Sequence, residues 1–313
     1  MSEPIRVLIA DDMSKKAVEI LTAAGFSVDF KVGMKPEELA AVIGEYHGVG
    51  VRSASKIKAD TLANPGKLKI IGRAGVGVDN IDVKAATEKG ILVINTPQGN
   101  AAAAAELAIG LMFALARKIP QASASMKRGE WEKKKFMGAE IAGKTLGVVG
   151  LGNIGRQAAE RGVGLKMNVI GFDPFPPKQI PDGVKVVTFD ELVAKSDFIT
   201  LHIPLTPDTK NLFSGATFAK MKKGSYLINC ARGGIVDENA VMEALKSGQL
   251  GGAALDVFAK EPPDPSPLFA EENLIAVPHL GASTKEAQEK VAIELAEVFV
   301  GFLKDGVVRN AVK

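Results

Sequence analysis

Residues 145–173 read TLGVVGLGNIGRQAAERGVGLKMNVIGFD, and this stretch decides the fold. An apolar run, TLGVV, is followed by three glycines spaced as GxGxxG, at Gly150, Gly152 and Gly155. A helical pattern and a second apolar run, MNVIGF, come next, and the stretch ends on an acidic residue, Asp173. Strand, glycine-rich turn, helix, strand and acidic residue in this order are typical of a βαβ unit that binds a dinucleotide.

Each glycine of the turn has its own physical reason. Gly150 permits the tight turn, Gly152 lets the backbone approach a pyrophosphate, and Gly155 lets the helix pack closely on the strand. The unpaired N–H groups at the start of the helix favour an anion. Asp173 lies about 20 residues further on, where a carboxylate accepts hydrogen bonds from the adenosine ribose. That carboxylate repels a 2′-phosphate, and the residues DPFPPKQ contain no arginine, so the predicted cofactor is NAD rather than NADP.

Short apolar runs alternate with helical patterns along the whole chain of 313 residues. In the first third, the predicted strands are IRVLIA, FSVDF, GVGVR, LKIIG and ILVIN, with helices near residues 14–24, 36–43 and 82–89. After the glycine-rich turn, further strands are predicted at MNVIGFD, VKVVTF, DFITLHI, GSYLINCA, GGAALDVF and NLIAVPH. This alternation predicts an α/β protein with parallel sheets, and the length suits two domains.

Two further helices are predicted from composition and periodicity. The stretch NAAAAAELAIGLMFALARKI, residues 100–119, begins with Asn100 as a candidate N-cap and is so apolar that it requires burial against a domain or a second subunit. The final segment, TKEAQEKVAIELAEVFVGFLKDG, has the pattern of an amphipathic helix. We favour an arrangement in which this helix returns to pack on the first domain.

Composition excludes several classes of protein. A net charge of +3 is too small to indicate nucleic-acid or membrane binding, and no apolar run is long enough to span a bilayer. The single cysteine, Cys230, excludes an internal disulfide and a cysteine-built zinc site, and the chain has no histidine cluster that predicts a metal site. Cysteine usage and the absence of a secretory signal predict a reducing, cytoplasmic compartment.

Three polar residues follow predicted strands and have the chemistry that hydride transfer needs. They are Arg232 in NCARGGIVD, Glu261 in LDVFAKEPP and His279 in AVPHLGAST. Open parallel sheets bind ligands at the carboxyl ends of their strands, so these side chains are expected at one edge. A histidine can exchange the hydroxyl proton near neutral pH, a carboxylate can orient it, and a guanidinium can hold a substrate carboxylate. Each residue alone could equally be an ordinary loop residue.

These motifs resemble the D-isomer-specific 2-hydroxyacid dehydrogenases. The resemblance rests on GLGNIG with Asp173, CARGGIVDE, ALDVFAKEP and PHLGAST. It implies that Arg232, Glu261 and His279 are catalytic, with His279 the proton donor. It also implies that Asn153, Ile154, Asp173, Cys230 and Asp256 line the cofactor, with Asp256 at the nicotinamide amide.

The same resemblance implies a domain organisation and a partner. A substrate domain, residues 1–97 plus 285–313, would be interrupted by an NAD-binding domain, residues 98–284. Both domains would be Rossmann or flavodoxin-like, and two copies of the chain would form a homodimer through the alanine-rich helix.

The substrate implied within the family is a phosphorylated 2-hydroxy acid. The stretches VRSASK, GRAGVGVDNIDVKAATEKGILVINTP and HLGASTKEAQ resemble those of members that oxidise 3-phospho-D-glycerate in the first step of serine biosynthesis. Arg52 and Arg73, each at a predicted strand end, are candidates for binding the phosphate. Two alternatives stay open: a reductase of hydroxypyruvate, glyoxylate or another 2-keto acid, and an NAD-sensing binding protein related to transcriptional corepressors.

Overall fold

The computed structural model describes residues 3–312, and this part of the chain divides into two compact units. Unit 2 is Ala102–Gly281, and unit 1 comprises the described residues up to Ala101 and from Ala282 onward. The predicted boundaries after residues 97 and 284 differ from these by four and three residues. Each unit is an α/β fold with one parallel sheet, which confirms the predicted fold class.

Unit 1 is built on a five-stranded sheet in the order β2-β1-β3-β4-β5. The strands are β1 (Arg6–Ile9), β2 (Ser27–Phe30), β3 (Gly48–Val51), β4 (Ile70–Arg73) and β5 (Leu92–Asn95). All four pairings are parallel, with Val7 of β1 opposite Val28 on one side and Gly48 on the other. This is the strand order of a flavodoxin-like fold.

Three helices connect these strands where the sequence predicts them. They are α1 (Lys16–Ala23), α2 (Pro36–Val42) and α3 (Val83–Glu88). Local chemistry sets their starts, because Pro36 opens α2 and the Asp82 carboxylate accepts from the N–H of Ala85 to cap α3.

Unit 2 is built on a seven-stranded parallel sheet in the order β12-β11-β10-β9-β6-β7-β8. The strands are β6 (Thr145–Val149), β7 (Asn168–Phe172), β8 (Val184–Val186), β9 (Phe198–Leu201), β10 (Ser225–Asn229), β11 (Leu250–Leu255) and β12 (Leu274–Ala276). The helices are α4 (Ala101–Ala116), α5 (Ile119–Lys127), α6 (Asn153–Gly164), α7 (Phe189–Lys195), α8 (Gly215–Lys220) and α9 (Glu238–Lys246). The first six strands in chain order have the doubly wound order of dinucleotide-binding domains, and the seventh extends one edge.

Apolar residues lie on both faces of this sheet because helices cover both. Val148 belongs to a buried cluster with Met112 and Leu115 of α4, whereas the next residue, Val149, belongs to the cluster on the opposite face. Successive side chains of a strand point to opposite faces, so a continuous apolar run is what a doubly covered strand requires.

The alanine-rich helix is shorter than its sequence pattern predicts. The predicted helix runs to residue 119, but α4 ends at Ala116, and a second helix begins at Ile119 after Lys118 adopts a left-handed φ of 50°. Pro120 explains the break, because it has no N–H to donate to the oxygen of Ala116 and its ring would clash with that carbonyl, whereas the first turn of α5 tolerates it. The Oδ1 atom of Asn100 accepts no hydrogen bond, so the predicted side-chain N-cap is wrong.

The last helix, α10 (Lys285–Asp305), belongs to unit 1. Its Phe299 is fully buried against β3 and β4, where Gly48 and Gly72 leave room for the ring. A Cβ at Gly72 would lie 2.5 Å from Phe299 Cε1, so any other residue there would displace the helix. None of the helices in residues 3–312 is both long and apolar enough to cross a membrane.

Candidate active site

The turn between β6 and α6 has the geometry that its three glycines predict. Gly150 has a φ of 92°, which glycine adopts without strain, and a Cβ there would lie 2.5 Å from the carbonyl oxygen of His202. A Cβ at Gly155 would overlap the carbonyl oxygen of Gly150, so only glycine lets α6 approach the turn. A Cβ at Gly152 would meet nothing within 4 Å. The turn is therefore tight on the protein side and open at Gly152, as the approach of a pyrophosphate requires.

Asp173 lies directly after β7, beside this turn. Its Oδ2 accepts a hydrogen bond from the N–H of Leu151 at 2.8 Å, and its Oδ1 accepts from the N–H of Phe175 at 2.9 Å. These bonds hold the carboxylate against the first residues of the turn. A half-buried carboxylate in this position fits the adenosine ribose of NAD.

Glu261 and His279 are in direct contact although they are 18 residues apart in the chain. Glu261 Oε2 lies 2.7 Å from His279 Nδ1, and the other Glu261 oxygen accepts from the N–H of Phe258 at 3.1 Å. The side chains are 47% exposed for His279 and 37% for Glu261, so both can be reached by a ligand. Because Nδ1 is held by the carboxylate, Nε2 is the ring nitrogen left to exchange a proton.

The turn that carries His279 is held by Asp256, the residue after β11. The backbone oxygen of Asp256 accepts from the N–H of His279 at 2.9 Å. Its buried carboxylate accepts from the N–H groups of Leu280 and Gly281 at 2.5 and 2.9 Å. Burial raises the pKa of this carboxyl, and the two N–H groups oppose that rise. These bonds stabilise His279 in a left-handed conformation, with φ 53°, that few non-glycine residues adopt.

Arg232 lies in the loop between β10 and α9, and this loop packs on the segment that leads to Glu261. A Cβ at Gly233 would overlap the carbonyl oxygen of Phe258, so the two backbones touch. Asn229 fixes the turn: its Oδ1 accepts from the N–H of Ala231 and its Nδ2 donates to the oxygen of Arg232, both at 3.0 Å. The loops of Arg232, Glu261 and His279 thus meet at the carboxyl edge of one sheet.

Two residues that position these loops were missed by the sequence analysis. Asn229 is the last residue of β10, and Glu238 is the first residue of α9, whose Oε1 accepts from the N–H of Ala259 at 2.7 Å. The position of Asn229 at the end of a predicted strand could have indicated that it helps to position the loop that follows. Nothing in the sequence indicates that Glu238 reaches a loop 21 residues away.

The other titratable residues that could suggest catalysis have inert surroundings. Burial lowers the pKa of His202 to about 4, so its ring, 3.0 Å from Thr200 Oγ1, is neutral near pH 7. Burial and the nearby Asp256 charge raise the pKa of the Cys230 thiol, which therefore stays protonated and unreactive. His47 accepts a hydrogen bond from the N–H of Arg6. Within residues 3–312, no three His, Cys, Asp or Glu side chains gather in a group that could hold a metal ion.

Arg52 and Arg73 belong to unit 1, and both lie at the ends of central strands of its sheet. Arg73 is the last residue of β4, and Arg52 directly follows β3. Arg52 donates from Nη1 to the oxygen of Asp12 at 3.0 Å, and Arg73 donates to the oxygen of Gly77. Both guanidinium groups therefore lie at the carboxyl edge of the unit 1 sheet.

The fold and this site define a class of protein: a doubly wound domain with a dinucleotide-binding turn and a His–Glu pair at the same edge of the sheet. Residues 109–281 match the family described as D-isomer specific 2-hydroxyacid dehydrogenase, NAD binding domain. The match covers more than half of the chain, and the chain belongs to this family.

Individual relatives agree with this membership. The D-3-phosphoglycerate dehydrogenase of Archaeoglobus fulgidus is 50% identical over 311 residues, which are 98% of this chain and 59% of that protein. The human D-3-phosphoglycerate dehydrogenase is 51% identical over 301 residues, which are 96% of this chain and 56% of that protein. Among solved structures, a glyoxylate reductase from Paecilomyes thermophila has a TM-score of 0.90 at 29% identity, covering 99% of both chains. The chain thus spans less than two thirds of the length of these curated relatives.

Proposed function

We propose that this protein oxidises 3-phospho-D-glycerate at its 2-hydroxyl, with NAD as the cofactor, to give 3-phosphohydroxypyruvate, NADH and a proton. The observation that carries the proposal is the contact of 2.7 Å between Glu261 and His279 in a domain with a dinucleotide-binding turn. The curated relatives named D-3-phosphoglycerate dehydrogenase, at about half identity, support this substrate. The reaction is the first step of serine biosynthesis, and we propose a reducing, cytoplasmic compartment for it.

His279 is the proposed proton carrier. Bound NAD would supply the acceptor for the hydride that leaves the substrate carbon. The Nε2 atom of His279 takes the hydroxyl proton in the same step and returns it in the reverse direction. Glu261, bonded to Nδ1, keeps the ring in the tautomer that leaves Nε2 basic, and it stabilises the imidazolium that forms.

Arg232 is the proposed clamp for the substrate carboxylate. A guanidinium binds a carboxylate through two parallel N–H groups, which fixes the orientation of the carbon that reacts. Its loop is held by Asn229 and packs on the segment before Glu261, so the clamp and the acid–base pair are linked through rigid backbone.

The remaining cations and the cofactor residues are assigned by their chemistry. We propose that Arg52 and Arg73 bind the substrate phosphate, since the phosphate lies away from the reacting carbon and needs cations of its own. The proposed NAD-binding residues are Gly150, Gly152, Asn153, Ile154, Gly155, Asp173, Cys230 and Asp256. In this set, Asp173 selects NAD because a carboxylate there repels the 2′-phosphate of NADP.

A second copy of the chain is the proposed protein partner. In the 16 residues of α4 there is one charged side chain, Glu106. Ile109 and Phe113 of this helix, with Leu165, line a cavity of about 330 Å³ and stay partly exposed. Trp131, 79% exposed, follows in the same unit. An apolar helix face with a nearby exposed aromatic residue fits a self-complementary homodimer interface.

One other function has a specific observation in its favour. One solved structure with a TM-score of 0.90 is a glyoxylate reductase, which supports a reductase of unphosphorylated 2-keto acids as the second candidate. The proposed proton carrier and carboxylate clamp would serve both reactions, so only the phosphate distinguishes them.

The test is a steady-state comparison of substrates. NADH formation from 3-phospho-D-glycerate is measured beside NADH consumption with 3-phosphohydroxypyruvate, hydroxypyruvate, glyoxylate and 2-oxoglutarate. We expect a kcat/KM for 3-phosphohydroxypyruvate at least about 100-fold above that for hydroxypyruvate, since the phosphate adds charge-assisted hydrogen bonds. Equal values for the two would replace the proposed substrate by an unphosphorylated one. Absence of turnover with any of them would reject the enzyme itself.

A further inference from the structure

Two carboxylates of the described residues are almost completely buried, one in each unit, and each accepts hydrogen bonds from the backbone N–H groups of a neighbouring loop. Asp256 is fully buried after β11 and holds the His279 turn through two backbone N–H groups. Asp11 is 2% exposed and lies two residues beyond the end of β1. Burying a carboxylate is costly unless it is hydrogen-bonded, so the partners of Asp11 indicate what it is kept for.

Among residues 3–312, every hydrogen bond that the Asp11 carboxylate accepts comes from the loop after β3, residues 52–55. Oδ2 accepts from the N–H of Arg52 at 2.6 Å. Oδ1 accepts from the Ser55 hydroxyl at 2.5 Å, and the N–H of Ser55 lies 3.0 and 3.1 Å from the two oxygens. The two ends of the loop are thus tied to one charge.

Asn80 holds the same loop through the opposite groups. Its Nδ2 donates to the carbonyl oxygens of Arg52 and Ser55, both at 2.7 Å. Asp11 therefore satisfies N–H groups and Asn80 satisfies carbonyl groups of the same two residues. The Arg52 side chain is also anchored, because its Nη1 donates to the oxygen of Asp12, the residue after Asp11.

We propose that Asp11 is a positioning residue for substrate specificity: through the 52–55 loop it holds Arg52 where that guanidinium binds the substrate phosphate. The inference rests on the proposed function, which gives Arg52 that task. Two physical arguments support it. The carboxyl edge of a parallel sheet is where such folds bind ligands, and a binding group acts with full strength only when its backbone is held by surrounding hydrogen bonds. Asn80 is the second positioning residue of this loop.

The test compares two keto acids that differ only in the phosphate. KM and kcat are measured in the reducing direction, with NADH, for 3-phosphohydroxypyruvate and for hydroxypyruvate. For Asp11→Ala we expect KM for the phosphorylated acid to rise about tenfold or more, as for a lost charge-assisted interaction. KM for hydroxypyruvate and both kcat values should stay within about twofold.

Asp11→Asn is the conservative variant. Its amide oxygen can accept from the N–H groups of Arg52 and Ser55, and its amide nitrogen can donate to the Ser55 hydroxyl, but the amide nitrogen then lies close to the N–H of Ser55. We therefore expect Asp11→Asn to recover part of the preference for the phosphorylated acid and to lie between Asp11→Ala and the wild type. Should Asp11→Ala fail to fold, Ser55→Ala removes a single hydrogen bond to Asp11 and should shift the same KM in the same direction by less.

Asp29→Ala is the matched control. The Asp29 carboxylate of the same unit accepts from the Tyr46 hydroxyl at 2.6 Å and from Arg6 at 3.1 Å. Arg6 is the first residue of β1 and Tyr46 precedes β3, so neither partner follows the end of a strand as Arg52 does. Its loss should lower Tm and leave the ratio of the two KM values unchanged.

Arg52→Gln, measured in parallel, separates the inference from the proposed function. If Arg52→Gln raises KM for the phosphorylated acid but Asp11→Ala does not, Arg52 keeps its task and the role of Asp11 is overturned. Equal losses on both keto acids for Asp11→Ala would make Asp11 merely structural, which also overturns the inference. If Arg52→Gln leaves the KM ratio unchanged, the task assigned to Arg52 is wrong, and the inference falls with it.

Discussion

At the scale of single residues, the surroundings of the three histidines separate one candidate proton carrier from two structural side chains. His279 is about half exposed and bonded to a carboxylate. His202 has a pKa lowered by burial, and His47 has a pKa lowered by burial and by the charges of Lys69 and Lys67. A carboxylate partner is what a histidine needs to take up a proton during a reaction, and only His279 has one in the described residues.

The first prediction concerns this pair. His279→Ala should lower kcat by 10²–10⁴, the scale of a lost general acid. Glu261→Gln should lower kcat on the order of 10², because a neutral amide cannot stabilise the imidazolium and can favour the wrong tautomer. The Kd for NAD, measured by calorimetry, should change little in both.

Asp264→Asn is the control for Glu261→Gln. It neutralises an exposed carboxylate of the same loop that pairs with Lys260 at 2.6 Å, and it should leave kcat within about twofold of the wild type. A large loss of NAD affinity in His279→Ala would mean that His279 has a structural role and is not the proton carrier.

The second prediction concerns His202 and pH. Its pKa in the folded state is about 4, below the ordinary value of 6.5, so the unfolded chain binds a proton that the folded chain does not. The stabilising contribution is therefore complete above pH 6.5 and is lost as the pH falls towards 4. Between pH 7 and 4.5, the free energy of unfolding should decrease in both the wild type and His202→Gln. The decrease should be about 2 kcal/mol smaller in His202→Gln, because this variant lacks the titrating side chain.

Urea unfolding at the two pH values measures this difference. His47 is present in both proteins, so its own titration cancels from the comparison. Equal losses of stability in both proteins would mean that the pKa of His202 is the same in the folded and in the unfolded chain.

At the scale of elements, the β6–turn–α6 segment contains one glycine that folding requires and another that only cofactor binding requires. Gly155 is needed because α6 and the turn are in contact, whereas Gly152 has open space around its Cα. Two glycines of one motif, three residues apart, should therefore respond differently to the same added methyl group.

The third prediction uses this difference. Gly155→Ala should lower Tm and weaken NAD binding together, because the helix must move away from the turn. Gly152→Ala should leave Tm unchanged and weaken NAD binding by about tenfold or more, since the methyl group lies where the pyrophosphate approaches. Thermal unfolding and NAD titration of both variants check the pair. Normal NAD affinity in Gly152→Ala would place the pyrophosphate elsewhere.

At the scale of the whole molecule, the proposed homodimer concerns an apolar part of the surface of unit 2. Ile109, Phe113 and Leu165 surround an apolar cavity beside the ion pair between Glu106 and Arg161, at 2.7 Å. An apolar cavity bordered by a charge pair can be covered by a second copy that presents the same groups in return.

The fourth prediction tests this surface. Phe113→Glu should convert a dimer to a monomer, because it places a charge in the centre of an apolar contact. Phe30→Glu is the matched control, since Phe30 is an exposed phenylalanine, at 38%, on the edge strand of unit 1. Sedimentation equilibrium of both variants and of the wild type gives the mass. A monomeric wild type, or dimers of both variants, would remove the proposal of an α4 interface.

The elements that the sequence predicts well are those whose signal is local. The strands MNVIGFD and ILVIN are confirmed as β7 and β5, because an apolar β-branched run bounded by polar residues carries its own information. The start of α4 at Ala101 agrees with the prediction, but its predicted C-terminal end was wrong, because a run of good helix formers outweighed one helix breaker, Pro120. The βαβ unit at residues 145–173 was predicted completely, since its glycines and its acidic residue are separated by one helix.

By itself, therefore, the sequence determined the class of fold, the dinucleotide-binding turn and the residue types available for chemistry, because these depend on spacings within one or two elements. Only the tertiary structure decided which of those residues meet. Glu261 contacts His279 because β11 pairs with β12, and Asp11 holds Arg52, 41 residues away, because β1 pairs with β3. Such contacts follow from strand order and close packing across the sheet, which no short stretch of the chain encodes.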